Sequence, residues 1–285
     1  MKELFELEWM GGAAEHHFRK AEPGVDDLPW GTLDTSDYPP AVLLAARSTW
    51  TRSSLTEYRA VVGFSEALRA LCEAKAPLDI IGMASSFVAD EVVHVELCSR
   101  MAMELGGGYE MSIDLDHLMP RVDPSLTAFQ RANDLLLRIS CIAEAFSGRM
   151  AVNALRGTTH PLTHAVYERI CADESLHYRL GAVYFEWAKE RMDDAERARL
   201  ASVATQTLHA YATKSSSKAS APAAPKDATA DGRAQATIEQ VRSIGWVESR
   251  LFASQVREAV VDHICAPLAS YGIEVPSQTI DALFA

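Results

Sequence analysis

Cysteine is scarce in this sequence, and its spacing excludes two common kinds of site. Only 5 of the 285 residues are cysteines, and none belongs to a CxxC pair. An odd, scattered set does not build a disulfide framework, and it lacks the paired thiolates of structural zinc or rubredoxin-type iron sites. We therefore expect a reducing, cytoplasmic compartment.

Positive charge is also in short supply. The chain has 27 basic residues against 39 acidic ones, which gives a net charge of -12 and a pI of about 5.2. Such a chain is repelled by a phosphate backbone and by anionic lipid headgroups. We expect neither a nucleic acid nor a membrane as a partner.

Long apolar runs are missing as well. No uncharged apolar stretch approaches the roughly 20 residues that are needed to span a bilayer. The first residues, MKELFELEWMGG, alternate acidic and apolar side chains instead of placing a basic region before an apolar one, so we expect no signal peptide there. Hydrophobic residues make up 48% of the chain, which is typical of a folded globular protein.

Strand-like alternation is absent, whereas apolar residues recur at helical spacing, so the predicted fold class is all-α. Four long helices are expected, at about 40–75, 77–105, 125–155 and from 161 onward, followed by a polar fifth helix. The predicted divisions are an irregular N-terminal segment (1–39), a helical bundle (40–212), a flexible Ala/Ser/Pro/Lys linker (213–235), and a C-terminal amphipathic helix with a short tail packed on the bundle (236–285). Pro267 is expected to end the C-terminal helix.

One short phrase occurs twice inside the predicted helices. Residues 89–96 read ADEVVHVE and residues 172–179 read ADESLHYR. Positions i and i+3 lie on one face of a helix, so Glu91 with His94, and Glu174 with His177, can each direct a carboxylate and an imidazole into the same space.

The other two long helices each contribute one acidic residue within an apolar run. These residues are Glu57 in SSLTEYRAVVGF and Glu144 in SCIAEAFSGRM. An unpaired carboxylate on a buried face costs several kcal/mol, and a metal cation removes that cost. Four carboxylates can neutralise two divalent ions, and a donor set of oxygens and two imidazoles favours iron or manganese.

The complete pattern is Glu57, Asp90-Glu91-x-x-His94, Glu144 and Asp173-Glu174-x-x-His177. It resembles the ferritin-like di-iron carboxylate superfamily, in which two helices supply one Glu each and two supply Glu-x-x-His. The resemblance covers residues 40–190. It implies a ferritin-like four-helix bundle with extra C-terminal helices, holding two iron ions on six ligands. An Fe/Fe pair is expected, and an Mn/Fe pair stays open.

The same resemblance implies a role for the acidic residue before each ligand glutamate. Asp90 is expected to orient His177, and Asp173 to orient His94. Small residues near the ligands are expected to leave room for a substrate; they are Ser53, Ser54, Ser140, Cys141 and Gly148.

Two positions separate this chain from particular branches of the superfamily. Radical-generating ribonucleotide reductase subunits carry a Tyr where Cys98 stands, and arylamine N-oxygenases carry an additional His where Ile170 stands. The leading hypothesis is a di-iron oxygenase or oxidase that uses O₂ and a small or carrier-bound substrate, with an external electron donor, as a monomer or homodimer. The alternatives are a ferroxidase or peroxidase without an organic substrate, and a scaffold whose C-terminal helix binds a partner.

Overall fold

The computed structural model describes residues 2–118, 121–216, 239–245 and 257–283. It confirms the predicted fold class, an all-α ferritin-like bundle. In chain order the elements are β1 (Lys2–Leu4), α1 (Gly12–Ala21), α2 (Pro40–Glu73), α3 (Leu78–Glu104), β2 (Ser112–Asp114), α4 (Ala128–Leu136), a π-helical segment π1 (Leu137–Ala143), α5 (Glu144–Gly157), α6 (Pro161–Ala188), α7 (Asp194–Ser216), a second π-helical segment π2 (Ala259–Cys265), α8 (Ala266–Ser270) and α9 (Ser277–Leu283). Short 3₁₀ turns occupy Thr35–Asp37, Leu115–His117 and Lys189–Arg191.

The ends of the bundle helices follow from local chemistry. Pro40 begins α2 and Pro161 begins α6, where the missing proline N–H leaves no hydrogen bond unmade. The Thr127 hydroxyl accepts from the Gln130 N–H at α4 while the Gln130 side chain accepts from the Thr127 N–H, which closes a capping box. After α3, Gly106 adopts a φ of 102°, a left-handed conformation that turns the chain away.

The third bundle helix is one continuous helix with an irregular middle. The segment α4 passes directly into π1, and π1 passes directly into α5. A π turn accommodates an additional residue, so it rotates the side chains that follow relative to a regular α-helix. Glu144 is the first residue of α5 and therefore takes its direction from this segment.

The N-terminal segment differs from the irregular chain predicted for 1–39. It contains β1, which pairs antiparallel with β2, and the ten-residue helix α1. Two Arg19 guanidinium nitrogens donate to the buried Glu96 carboxylate on α3 at 2.5 and 2.6 Å. A paired, hydrogen-bonded carboxylate can be buried. This contact between residues distant in sequence holds α1 on the bundle.

The C-terminal region also differs from the single helix predicted. Helical residues 239–243 end before Gly245, whose φ is 96°. Further on, π2 continues into α8, so Pro267 lies in the first turn of α8 instead of ending a helix. Ile264 and Leu268 lie in the core, so this part of the tail packs on the bundle. Positions 217–235 of the predicted linker lie outside the described residues.

Two buried side chains hold residues 239–245 against the bundle. The Trp50 indole N–H donates to the Ile244 carbonyl at 2.9 Å, and the Tyr167 hydroxyl donates to the Gly245 carbonyl at 3.0 Å. A Cβ at Gly245 would lie 2.6 Å from the Trp50 ring, so only glycine fits this close approach. The returning chain is thereby joined to both α2 and α6.

The apolar core consists of two clusters, and the helices that carry the candidate residues contribute side chains to both. On α2, Trp50 belongs to one cluster and Phe64 to the other. On α6, Ile170 and Leu180 are divided in the same way. The level between the two clusters is where the polar candidate residues lie.

A glycine substitution tests the packing of α6 against π1. Gly181→Ala should lower the free energy of unfolding by about 1–3 kcal/mol through overpacking, because the new Cβ would lie 2.5 Å from Cys141 Sγ and 3.3 Å from the Cys141 backbone nitrogen. The control is Gly82→Ala on the exposed face of α3, where a Cβ meets nothing within 4 Å. This control should gain about 0.5–1 kcal/mol through helix propensity. Urea unfolding measures both, and a gain for Gly181→Ala would contradict the prediction.

Candidate metal centre

Four of the predicted residues form a compact group in the interior of the bundle. Ligand atoms of Glu91 and His94 on α3, and of Glu174 and His177 on α6, all lie within 4.8 Å of one another. All four residues are buried. The helical phrase that occurs twice in the sequence therefore brings two carboxylates and two imidazoles to one place.

The Nδ1 atoms of both histidines face these carboxylates. His94 Nδ1 lies 3.5 Å from Glu91 Oε2 and 3.6 Å from Glu174 Oε1. His177 Nδ1 lies 3.0 Å from Glu91 Oε1 and 3.7 Å from Glu144 Oε2. Glu144, supplied by α5, thus adjoins the group from the third bundle helix.

Glu57 approaches the group from α2. It is half-buried as a residue, but its carboxyl group is desolvated. Desolvation raises the pKa of Glu57 to about 8, and the charges of Glu91 and Glu144 add to the rise. All six predicted residues therefore belong to one electrostatic cluster. Their role as metal ligands stays a prediction.

The outward nitrogen of each histidine meets an aspartate from the opposite helix. His94 Nε2 lies 3.3 Å from Asp173 Oδ2, and His177 Nε2 lies 3.2 Å from Asp90 Oδ2. An aspartate that accepts from Nε2–H leaves Nδ1 for the interior of the cluster. This crossed pairing is the arrangement that the resemblance implies for Asp90 and Asp173.

Burial and neighbouring charges change the pKa values of the carboxyl groups in opposite directions. Burial would raise the pKa of Glu91, but the contacts with His177 and His94 outweigh it and lower that pKa to about 2. Burial and the charge of Glu144 hold the pKa of Glu174 well above its usual range. The carboxyl groups thus divide into an acidic Glu91 and two groups, Glu57 and Glu174, that favour a bound proton.

Both imidazoles favour the protonated form. Burial lowers the pKa of each, yet the carboxylates more than compensate. Asp173 and Glu91 raise the pKa of His94 to about 10. Asp90, Glu144 and Glu91 raise the pKa of His177 to about 12. Excess negative charge in the cluster stabilises any cation placed there, whether a proton or a metal ion.

The buried atoms that lack partners show that the residues fit a cation. Within the described part of the chain, both Glu91 oxygens and the Nδ1 atoms of His94 and His177 have no hydrogen-bond partner. The Nδ1 atoms lie close to carboxylate oxygens, but the angles between them are not those of hydrogen bonds. Orphaned buried polar atoms are costly, and a cation bound between them would satisfy all four. The donors are carboxylate oxygens and imidazoles, which suit iron or manganese.

Ser147 is a polar neighbour of the cluster that sequence reasoning missed. Its hydroxyl donates to Glu174 Oε2 at 3.0 Å. It lies three residues after Glu144, and the i, i+3 spacing could have identified it. Ser147 thereby constrains one carboxylate oxygen of the cluster.

The predicted pocket residues have diverse surroundings. The Ser54 hydroxyl donates to the Val95 carbonyl at 3.3 Å, which joins α2 to α3. Cys141 lines a small cavity together with Tyr178 and residues of π2 and α8. The other three residues are Ser140, which is fully buried in π1, Ser53, which is half-buried on α2, and Gly148, where a Cβ would lie 3.8 Å from Glu174 Oε2. A shared substrate pocket stays a prediction.

These features define an all-α ferritin-like bundle with a buried Glu/His cluster. No family model and no curated protein matches the sequence. A solved structure, "Protein 19 with aldehyde deformylating oxidase activity from Synechococcus", is similar to this chain, with a TM-score of 0.56 and 15% sequence identity. The match covers 88% of this chain and 98% of that chain. At this identity the likeness shows the fold alone.

In the described ranges, none of the helices combines the length and the apolar character that are needed to cross a membrane.

The raised pKa of Glu57 predicts a stability change that depends on pH. In chelator-treated protein, Glu57→Gln should raise the unfolding midpoint relative to wild type at pH 8. The advantage should shrink toward pH 5, because a carboxyl group with a folded pKa of about 8 stabilises the fold only while it is protonated. The stabilising contribution of Glu57 is complete below its unfolded pKa and is lost as the pH rises through about 8.

Thermal unfolding between pH 5 and 8.5 measures this difference. The control is Glu168→Gln, which changes an exposed carboxylate on α6. An unfolding difference for Glu57→Gln that stays constant across this range would contradict the assignment of Glu57 to the buried cluster.

Proposed function

We propose that this protein is a non-haem di-iron oxidase or oxygenase that uses O₂ at a site of four glutamates and two histidines. The proposed iron ligands are Glu57, Glu91, His94, Glu144, Glu174 and His177. The observation that carries the proposal is the buried, mutually close group Glu91, His94, Glu174 and His177, whose inward-facing Nδ1 and Glu91 oxygens lack hydrogen-bond partners among the described residues. A cation bound within such a group would stabilise it.

The charge of the ligand set supports two divalent ions instead of one. Four ionised glutamates carry a charge of -4, which two divalent ions neutralise. One ion would leave net negative charge in a low-dielectric interior, where it is costly. The same donors accept manganese, so an Mn/Fe pair remains within the proposal.

The residues of the chain would bind and orient the metals and keep water away. Asp90 and Asp173 accept from the Nε2 atoms and hold the rings so that Nδ1 faces inward. Phe87 and Phe64 lie against His177, with ring centroids at 4.4 and 5.3 Å, and exclude solvent from its side of the site. Bound iron would supply the redox chemistry with O₂ that these side chains do not supply themselves.

An aldehyde is the substrate class to test first. The structural neighbour carries the description of an aldehyde deformylating oxidase activity and shares the fold over most of both chains. Fold alone does not establish a reaction, so other small or carrier-bound substrates belong in the same panel. Catalytic turnover would use an external electron donor to return the metals to the reduced state.

Removing one proposed ligand tests the site itself. Glu144→Ala should eliminate at least one of two iron equivalents, because a buried cation that loses one carboxylate loses both a ligand and its compensating charge. Anaerobic Fe(II) titration followed by metal analysis measures the stoichiometry, with Glu168→Ala as the exposed control. Two equivalents retained by Glu144→Ala would contradict the assignment of Glu144 as a ligand.

Exposure of the iron-loaded protein to O₂ distinguishes the candidate functions. An oxidase or oxygenase should give a transient visible absorption whose decay accelerates when its substrate is present, and the product should depend on that substrate. A ferroxidase should instead oxidise added Fe(II) without regard to organic compounds, and a large closed shell on size-exclusion chromatography would favour that alternative.

A further inference from the structure

The two histidines of the cluster have different surroundings on their outer sides. Behind His177, Asp90 is an ion-pair contact and the Phe87 ring packs at 4.4 Å. On the outer side of His94, Asp173 also contacts Arg169. Arg169 in turn contacts Glu22, which follows helix α1. The two Asp–His pairs are therefore similar, but the residues around the two pairs differ.

Arg169 is the first member of the support behind His94. Its Nε lies 3.1 Å from Asp173 Oδ2, the same oxygen that faces His94 Nε2, and forms an ion pair with it that does not have hydrogen-bond geometry. Arg169 and Asp173 occupy positions i and i+4 of α6, so the helix itself fixes their spacing. The pair is partly shielded, with side-chain exposures of 34% and 16%, and so is less screened than a fully exposed surface pair.

Glu22 is the second member. Its Oε2 lies 3.6 Å from Arg169 Nη2, and its side chain is 18% exposed. Glu22 directly follows α1, where its backbone N–H donates to the Phe18 carbonyl at 2.8 Å. The position of α1 is fixed in turn by the contact between Arg19 and the buried Glu96 on α3. The chain of contacts behind His94 therefore ends at helix α1, which Arg19 holds against the bundle.

Arg169 also separates negative charges from one another. Glu22 lies close enough to Asp90 and Asp173 for both to act on it electrostatically, and Arg169 opposes them. If Arg169 were absent, the carboxylates of Glu22 and Asp173 would repel each other, and Asp173 would be free to rotate away from His94. An aspartate that rotates no longer fixes which ring nitrogen of the histidine faces inward.

We propose that Arg169 and Glu22 are positioning residues for His94, so that the metal position beside His94 depends on helix α1 through an ion pair that the position beside His177 lacks among the described residues. This inference rests on the proposed two-metal function. Neither residue touches a metal in the proposal; each acts through Asp173, which orients the ring. The N-terminal segment is thus part of the metal centre, although it contributes no ligand.

The test is a stepwise anaerobic Co(II) titration of the full chain against a competing chelator, with the visible Co(II) bands as a second readout. Wild type should bind two equivalents. Arg169→Met should weaken one equivalent about tenfold, within the range known for residues that support ligands, while the other equivalent changes by less than about twofold. The bands of the weakened equivalent should change in position or intensity.

Two conservative variants and one control make the result specific. Arg169→Lys keeps the charge but not the planar guanidinium, so it should recover most of the lost affinity. Glu22→Gln should weaken the same equivalent by a smaller factor. Arg179→Met removes an exposed arginine from the same helix and should bind both equivalents as wild type does.

Other outcomes identify which idea is wrong. If wild type binds no metal, the proposed function is overturned. If wild type binds two equivalents and Arg169→Met binds both with unchanged affinity and bands, the positioning role is overturned and the two-metal site stands. Equal weakening of both equivalents, with a lower thermal midpoint for the chelator-treated variant, would show a general structural role and would also overturn the inference.

Discussion

Burial of charged groups at the centre of an apolar bundle is the constraint on which the rest of this structure depends. Glu91, His94, Glu174 and His177 are at most 3% exposed, and charges so far from water must be paired or bound to an ion. The apolar core accordingly divides into two clusters, one on each side of the polar level. Each helix that supplies a candidate ligand therefore carries apolar side chains of both clusters, one on each side of that ligand.

Neighbouring side chains provide partners for several of the polar atoms buried in the cluster. Asp90 and Asp173 hold the outward histidine nitrogens, and Ser147 donates to a Glu174 oxygen. The segment π1 sets the direction of Glu144, and irregular helical turns of this kind are frequent at functional sites. Buried polar atoms that still lack a partner, such as the Glu91 oxygens, reduce the stability of a fold.

The shared fold and the chemistry of the site support different parts of the interpretation. A structural likeness at 15% identity identifies the architecture, and many unrelated activities use one architecture. The donor set is more specific, because two imidazoles and several carboxylates around unpartnered buried atoms suit few ligands other than redox-active or divalent cations. The proposed function therefore depends on residues and not on the neighbour's description.

The sequence alone determined the features that depend on local periodicity. Helical spacing placed Glu91 with His94 and Glu174 with His177 on common faces, and prolines and glycines located the ends of most bundle helices, because these effects act within a few residues. Tertiary structure alone decided the π turn before Glu144, the anchoring of α1 by Arg19, the continuation of a helix past Pro267, and the contact of Arg169 with Asp173. Each of these depends on the rotation and register of elements distant in sequence, and packing sets that geometry after the local pattern has formed.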